Sequence, residues 1–176
     1  MPLTKVRAGG YAAGGIIQIQ KTQYTDTTST SCADSTNVIL TDLTVNITPT
    51  STSSIIKLEA MINGEWDNSF TNPNSVWFFY RDSTKLSAPA ASDRAIGVLI
   101  CTPIAYDAAN ATSTGEVAYY TYFDTPSTTS QITYKVGVYQ GTGSTKTWYT
   151  NRTVGDSDND QYERGTSFIS ATEIAG

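Results

Sequence analysis

The stretch that decides the fold is residues 125–140, which read TPSTTSQITYKVGVYQ. It opens with a turn rich in proline, serine and threonine. After this turn, apolar residues alternate with polar or small ones, beginning with Ile132 and Tyr134 and continuing to Val138. A period of two is typical of a β-strand with one buried face. The stretch therefore predicts a strand, and we expect it to lie within a run of antiparallel hairpins.

Most of the remaining chain repeats the same order of turn, alternating strand and turn. Further strands are predicted at residues 16–24, 38–47, 55–63, 76–81, 94–102, 117–123, 147–152 and 167–175. Residues 25–37 are interpreted as a loop, and Asn63-Gly64 as a tight turn. No segment has a sustained helical period with caps. The sequence predicts an all-β fold, an antiparallel β-sandwich or jelly-roll-like domain of about 8 to 10 strands.

Composition agrees with an all-β domain and excludes some classes of partner. The 176 residues suffice for one ordinary domain, and only 15% of them are charged. Serine and threonine make up roughly a quarter of the chain, and threonine suits the wet face of a sheet. The net charge is −5 and cations occur singly, so no nucleic-acid surface is predicted. No apolar run approaches membrane-spanning length, so no membrane partner is expected.

The N-terminal residues 1–15 form a separate segment rich in glycine and alanine. We interpret them as a flexible docking arm that precedes a single β-sandwich domain at residues 16–176, with a frayed terminus as the alternative. The candidate docking residues are Leu3, Val6, Arg7 and Tyr11. No apolar signal region is apparent near Met1, so we expect no export by a secretory signal.

The two cysteines, Cys32 and Cys101, are far apart in sequence. They leave two alternatives open, a single disulfide or two free thiols. One bridge is too few for a secreted disulfide scaffold, and no Cys-x-x-Cys motif is present.

Catalytic chemistry has little support in the sequence. The chain has no histidine, which removes the commonest general base and transition-metal ligand. Glu65 and Asp67 flank Trp66, a composition found at sugar sites, and paired carboxylates hydrolyse glycosides. The alternative is two solvated acids in a turn. We predict no enzyme and no cofactor.

Two other residue groups are candidate binding sites. Asp156, Asp158 and Asp160 alternate like the start of a calcium loop, but the central glycine is missing, so a solvated turn is the alternative and no metal is predicted. The aromatic candidates for a ligand platform or a subunit interface are Trp66, Trp77, Tyr80 and Trp148. An aromatic stripe in a β-domain also commonly forms core, which remains open here.

Several short pieces of the sequence, taken in order, resemble small β-domains in virion proteins of tailed bacteriophages. These pieces are residues 14–18, 43–51, 53–58, 80–84, 124–130, 132–136, 151–152 and 171–176. The order of the pieces is the specific part, because each one is short and of low complexity.

The resemblance implies a non-enzymatic structural protein of the virion surface, assembled in the host cytoplasm and often a homotrimer. Its partners would be further copies of itself and other virion proteins, such as the major capsid protein or a tail protein. The chain has no long shaft and no repeats, which favours a capsid decoration (cement) protein. The alternative is a tail-fibre or short-fibre tip that binds a host receptor or a surface glycan.

Overall fold

The computed structural model describes residues 13–67, 74–100, 112–113 and 115–176. Within these ranges every regular element is a β-strand and every strand pair is antiparallel. The strands are β1 Ile16–Tyr24, β2 Thr28–Cys32, β3 Thr36–Ile47, β4 Ile55–Trp66, β5 Ser75–Arg81, β6 Thr84–Leu86, β7 Leu99–Ile100, β8 Glu116–Asp124, β9 Ile132–Gln140, β10 Lys146–Thr150 and β11 Ser167–Ile174. The described residues include no helix long and apolar enough to cross a membrane.

The strands form two sheets that pack face to face as an antiparallel β-sandwich, which confirms the predicted fold class. In the first sheet β4 is central: β8 pairs with one of its edges, and β11 and β10 pair with successive parts of the other. β1 extends the sheet beyond β11, and β2 extends it beyond β10. The second sheet has the order β3-β9-β5-β6, with β7 also paired to β5.

The predicted run of hairpins is wrong, although the strands in it are correct. β8 belongs to the first sheet, β9 to the second and β10 to the first again, so each connection crosses the sandwich. The partners of β9 are the distant strands β3 and β5. Among the described strands, β5 and β6 alone form a tight hairpin, in which Asp82 has a left-handed φ of 52°. Periodicity fixes which face of a strand is buried, but it does not say which sheet the strand joins.

The core lies between the two sheets and is built by the alternation that the sequence predicts. On β9, Ile132, Tyr134, Val136 and Val138 are buried and face the interior. On β4, Ile56 to Ile62 contribute every second side chain to the same core. β5 is central in its sheet and buried on both faces, as its continuous apolar run predicts.

Three tryptophans from the two sheets form one cluster at an end of this core. Trp66 and Trp148 are opposite each other on β4 and β10, and Trp77 reaches them from β5. The ring centroid of Trp148 lies 5.3 Å from that of Trp66 and 4.9 Å from that of Trp77, both in edge-on geometry. The cluster therefore links the two sheets through aromatic contacts.

The predicted turn at Asn63-Gly64 is wrong, because both residues lie inside β4. Gly64 is opposite Thr150 and beneath the Trp148 ring. A Cβ atom built on Gly64 would lie 2.5 Å from Cζ2 and 2.8 Å from Cε2 of Trp148. The glycine thus serves close packing against an aromatic ring, and the dipeptide that is typical of turns has a different role here.

We expect Gly64→Ala to lower the free energy of unfolding by about 1–3 kcal/mol, because the new methyl group would overlap the backbone carbonyl oxygen of Tyr149 and the Trp148 ring. Urea unfolding followed by circular dichroism measures this change. Gly115→Ala is the matched control: Gly115 is exposed, and a Cβ atom added there would meet nothing within 4 Å. The control should stay within about 0.5 kcal/mol of the parent protein. Equal losses in the two variants would contradict the packing role of Gly64.

Two further boundaries differ from the sequence predictions. The predicted loop at residues 25–37 contains β2, which pairs with β10 through hydroxyl-bearing residues that lack an apolar alternation. The predicted strand at residues 94–102 is reduced in its described part to the two residues of β7. The apolar residues before β7 lie in a loop against β5, where Gly97 sits close to Val76.

A buried carboxylate fastens the end of the chain to two other segments. Glu173 of β11 is fully buried. Its carboxylate accepts hydrogen bonds from Gln18 Nε2 at 2.6 Å, from the backbone N and Oγ1 of Thr50 at 2.6 and 2.7 Å, and from Ser54 Oγ at 2.6 Å. Burial acts to raise the pKa of Glu173, but these hydrogen bonds together lower it below its ordinary value. The ionised side chain therefore joins β1, the connection between β3 and β4, and β11.

Candidate functional site

The structure corrects the aromatic candidates of the sequence. Trp66, Trp77 and Trp148 are at most 5% exposed, so they belong to the core and offer no face to a ligand or a second subunit. Their indole N–H groups are buried and have no hydrogen-bond partner in the described part of the chain. Tyr80 is half-buried on β5, with its ring 5.5 Å from that of Phe78. The candidate docking residues Leu3, Val6, Arg7 and Tyr11 lie outside the described residues.

Cys32, the cysteine in the described part of the chain, has a structural role. Cys32 at the end of β2 is a fully buried free thiol, and burial raises its pKa to about 12. A thiol of that kind is protonated and inert at neutral pH. Cys101 lies outside the described residues.

The acidic run does not converge on a metal site. Asp156 forms an ion pair with Arg164, whose Nη2 lies 2.6 Å from Oδ1. Nη1 of Arg152 lies 3.8 Å from Oδ2 of Asp156. Among the described residues no three histidine, cysteine or acidic side chains are close enough to hold a metal ion. The charge of Asp156 is therefore balanced by arginine, and the run folds as part of a polar loop.

Of the two acids beside Trp66, Glu65 is bound into the framework of the fold. Glu65 is fully buried, contrary to the solvated turn that was the alternative to a sugar site, and its Oε2 accepts the backbone N–H of Val154 at 2.6 Å. Glu116 is opposite Gly64 in the first sheet, so the alternation of β4 places Glu65 and Glu116 on opposite faces. Glu65 and Glu116, on opposite faces, cannot flank one glycosidic bond. In the predicted pair of Glu65 and Asp67, Asp67 is half-buried directly after β4, and its buried Oδ1 has no hydrogen-bond partner in the described part of the chain.

A row of exposed apolar side chains lies on β8. Val117, Tyr119 and Phe123 point away from the core and are 43%, 54% and 59% exposed. Met61 of β4 is opposite Tyr119, and Phe168 of β11 is opposite Met61, so the apolar row continues across the sheet. These five side chains are called the β8 face below. A surface of this kind is typical of contact with another macromolecule.

A cleft of about 330 Å³ lies in the polar loop around Asp156 and Asp158. Two further clefts open on the described surface. One, of about 260 Å³, lies between the start of β8 and the loop after β10, but its arginines are already occupied: Arg164 by Asp156, and Arg152 by backbone carbonyls and the Tyr149 ring. The other, of about 520 Å³, is lined by Asn74, Ser75, Val76, Arg94, Ala95, Ile100, Tyr139 and Gly141. The second cleft offers an aromatic ring, a guanidinium and a hydroxyl to a ligand.

Comparison with known proteins gives little beyond the fold. No protein-family model and no curated protein matches the sequence. The crystal structure of the infectious bursal disease virus VP2 subviral particle aligns with 90% of this chain and 41% of its own, at 11% identity and a TM-score of 0.37. The structure of the infectious bursal disease virus Gx strain aligns with 99% and 45%, at 12% identity and a TM-score of 0.34.

At such low TM-scores these structural similarities do not indicate a function. The chain spans less than half the length of each of the two solved chains. What the structure itself defines is an antiparallel β-sandwich in which the buried acids Glu65, Asp124 and Glu173 accept hydrogen bonds from the framework. Its outer sheet face exposes apolar side chains.

Proposed function

We propose that this protein is a non-enzymatic structural protein displayed on the surface of a tailed-phage virion, where it acts as a capsid decoration protein. The ordered sequence pieces that resemble phage virion domains support the phage assignment. The observation that carries the structural role is the β8 face. It exposes apolar area on a regular sheet, which suits contact with another protein.

The disposition of the acids supports a role without catalysis. Glu65 and Glu173 are bound into the framework by hydrogen bonds. Asp124 is held by Arg81 at 2.8 Å and by the Tyr134 hydroxyl at 2.7 Å. A general acid or base must reach a substrate proton, and side chains committed in this way do not.

The place where the proposed docking arm leaves the domain is well defined. Gly14 has a left-handed φ of 87°, and its N–H donates to the carbonyl of Ala175 at 2.7 Å. The arm therefore departs from the edge of the first sheet, beside the end of β11. On a virion we propose that this segment contacts a neighbouring shell protein while the sandwich stays outside.

The test is to locate the protein on particles and to remove the arm. Purified virions of the encoding phage are searched by mass spectrometry and labelled with gold-conjugated antibody. We expect the label on the capsid; label at the tail would support the fibre alternative, and absence from the particles would overturn the proposal.

Deleting residues 1–12 keeps the bond between Gly14 and Ala175. We expect this truncated protein to retain its circular dichroism spectrum and to lose binding to particles. Full-length protein is the control in the same binding assay. Unchanged binding would contradict the docking role of the arm.

A fibre tip that binds a host receptor is the second candidate, and the cleft beside Tyr139 is the observation that favours it. Tyr139 and Arg94 line the same cleft, and an aromatic ring with a guanidinium is a composition that suits an acidic sugar. A glycan array with the full-length protein tests this role. Hits that disappear in Tyr139→Ala would support it, and an array without hits would count against it.

A further inference from the structure

The outer edge of β8 lies on the side away from β4. β8 pairs with β4 over nine residue pairs, from Ile56 opposite Asp124 to Gly64 opposite Glu116, with no bulge. In the described part of the chain no strand pairs with its other edge. A straight, unpaired strand edge presents a row of N–H and C=O groups that can bond another strand.

The two other long outer strands, β1 and β3, carry devices that normally prevent such pairing. β1 contains Lys21 and has a register irregularity near Gln18. β3 is interrupted by a register shift between Leu40 and Thr44. β8 has no lysine, arginine or proline, and its outward residues from Val117 to Phe123 are apolar or carry hydroxyls. Because β8 lacks the features by which β1 and β3 disfavour strand pairing, its edge is the one best suited to association.

We propose that β8 pairs antiparallel with β8 of a second copy, about a two-fold axis at Thr121. The first sheets of the two copies then form one continuous sheet, and the β8 faces lie side by side. This inference concerns the isolated protein and does not depend on the proposed location on a virion.

The sequence of β8 favours a second copy over another partner, because the strand complements itself in this register. Tyr119 of each copy lies opposite Phe123 of the other, which gives two aromatic pairs, and Thr121 lies opposite itself. An axis at Tyr120 would instead place Glu116 opposite Asp124, and facing carboxylates are unfavourable. An axis at Tyr119 would leave Phe123 opposite Gly115.

The strength of the association follows from the size and charge of the surface. The exposed area of a few aromatic side chains is below that of a standard stable interface, so we expect a dimer that forms as concentration rises. Each chain carries a net charge of −5, so the two copies repel each other at low salt. Added salt screens that repulsion and should strengthen the dimer.

The test is the mass of the full-length protein in solution, measured by light scattering over a range of concentrations at low and high salt. We expect the mass to rise from 18.9 kDa towards twice that value. Thr121→Lys places two ammonium groups opposite each other and should weaken the dimer at least tenfold. Gln23→Lys, which makes the same charge change on the exposed outer face of β1, is the matched control and should leave the dimer unchanged.

Several outcomes would overturn the proposal. A mass of 18.9 kDa at all concentrations would mean that β8 does not pair with itself, which leaves a different protein strand as its partner. A trimer would agree with the stoichiometry that the resemblance implies and would contradict the two-fold pairing. A dimer that is equally weakened by Gln23→Lys, or that gives no concentration-dependent amide protection in β8, would place the contact elsewhere.

Discussion

Trp148→Ala is expected to lower the free energy of unfolding by about 3–5 kcal/mol, a large part of the stability of an ordinary domain. Trp148 is fully buried, and its ring touches one tryptophan of its own sheet and one of the facing sheet. Truncation would leave a cavity at the point where the sheets are joined, with rigid aromatic walls that collapse poorly. Urea unfolding followed by far-ultraviolet circular dichroism measures the loss.

Two comparison variants sharpen this prediction. Trp148→Phe keeps an aromatic ring and removes an indole N–H that is buried without a described partner, so its cost should be less than half that of alanine. Tyr149→Ala, at the neighbouring half-buried position, should cost about 1 kcal/mol or less. A loss below about 1.5 kcal/mol for Trp148→Ala would show that the cluster does not hold the sheets together.

Glu173→Ala is expected to cost about 2–3 kcal/mol, because it leaves the buried hydroxyl of Ser54 and the part-buried donors of Thr50 without their acceptor. Glu173→Gln keeps an oxygen that accepts from these donors. Its new NH2 group, however, would face Nε2 of Gln18, which is also a donor. Gln18 would have to turn and give up its bond to the Thr48 carbonyl. We therefore expect the glutamine variant to lose roughly half as much as the alanine variant.

The same carboxylate should make stability depend on acid pH. The pKa of Glu173 is lowered in the folded protein, so the unfolded chain binds a proton more readily. Its contribution is complete above the ordinary pKa of 4.5 and is lost as the pH falls through the lower, folded pKa. Urea unfolding of the parent protein and of Glu173→Gln between pH 7 and pH 3 measures this, and parallel curves would contradict the assignment.

The fold class was predictable from the sequence because burial on β4 and β9 follows alternation. The final strand was predicted from its apolar residues, but Phe168 and Ile174 lie on its half-buried outer face. Sheet membership was not predictable, since β8 and β9 have the same local pattern on either side of one turn. The prediction of a turn at Asn63-Gly64 was wrong because the same dipeptide occurs in turns and at close-packed positions in strands.

The candidate site was less predictable than the fold. Tyr119 and Tyr120 are neighbours of the same type, yet one is exposed on the β8 face and the other packs in the core against Phe79. A strand that is aromatic on both faces gives no sign of which face meets solvent. Trp66 with an acid on either side suggests a sugar site, because the sequence alone does not show that Trp66 is buried.

The pairing of β1 with β11 also determines when this protein can finish folding during its synthesis. The first strand ends at Tyr24, and its partner begins at Ser167. At ordinary translation speeds the ribosome needs on the order of ten seconds to make the residues between them. Throughout that time the apolar side chains of β1 have no native sheet neighbour, so chaperones that hold nascent chains should engage this protein from its first strand until its last one is made.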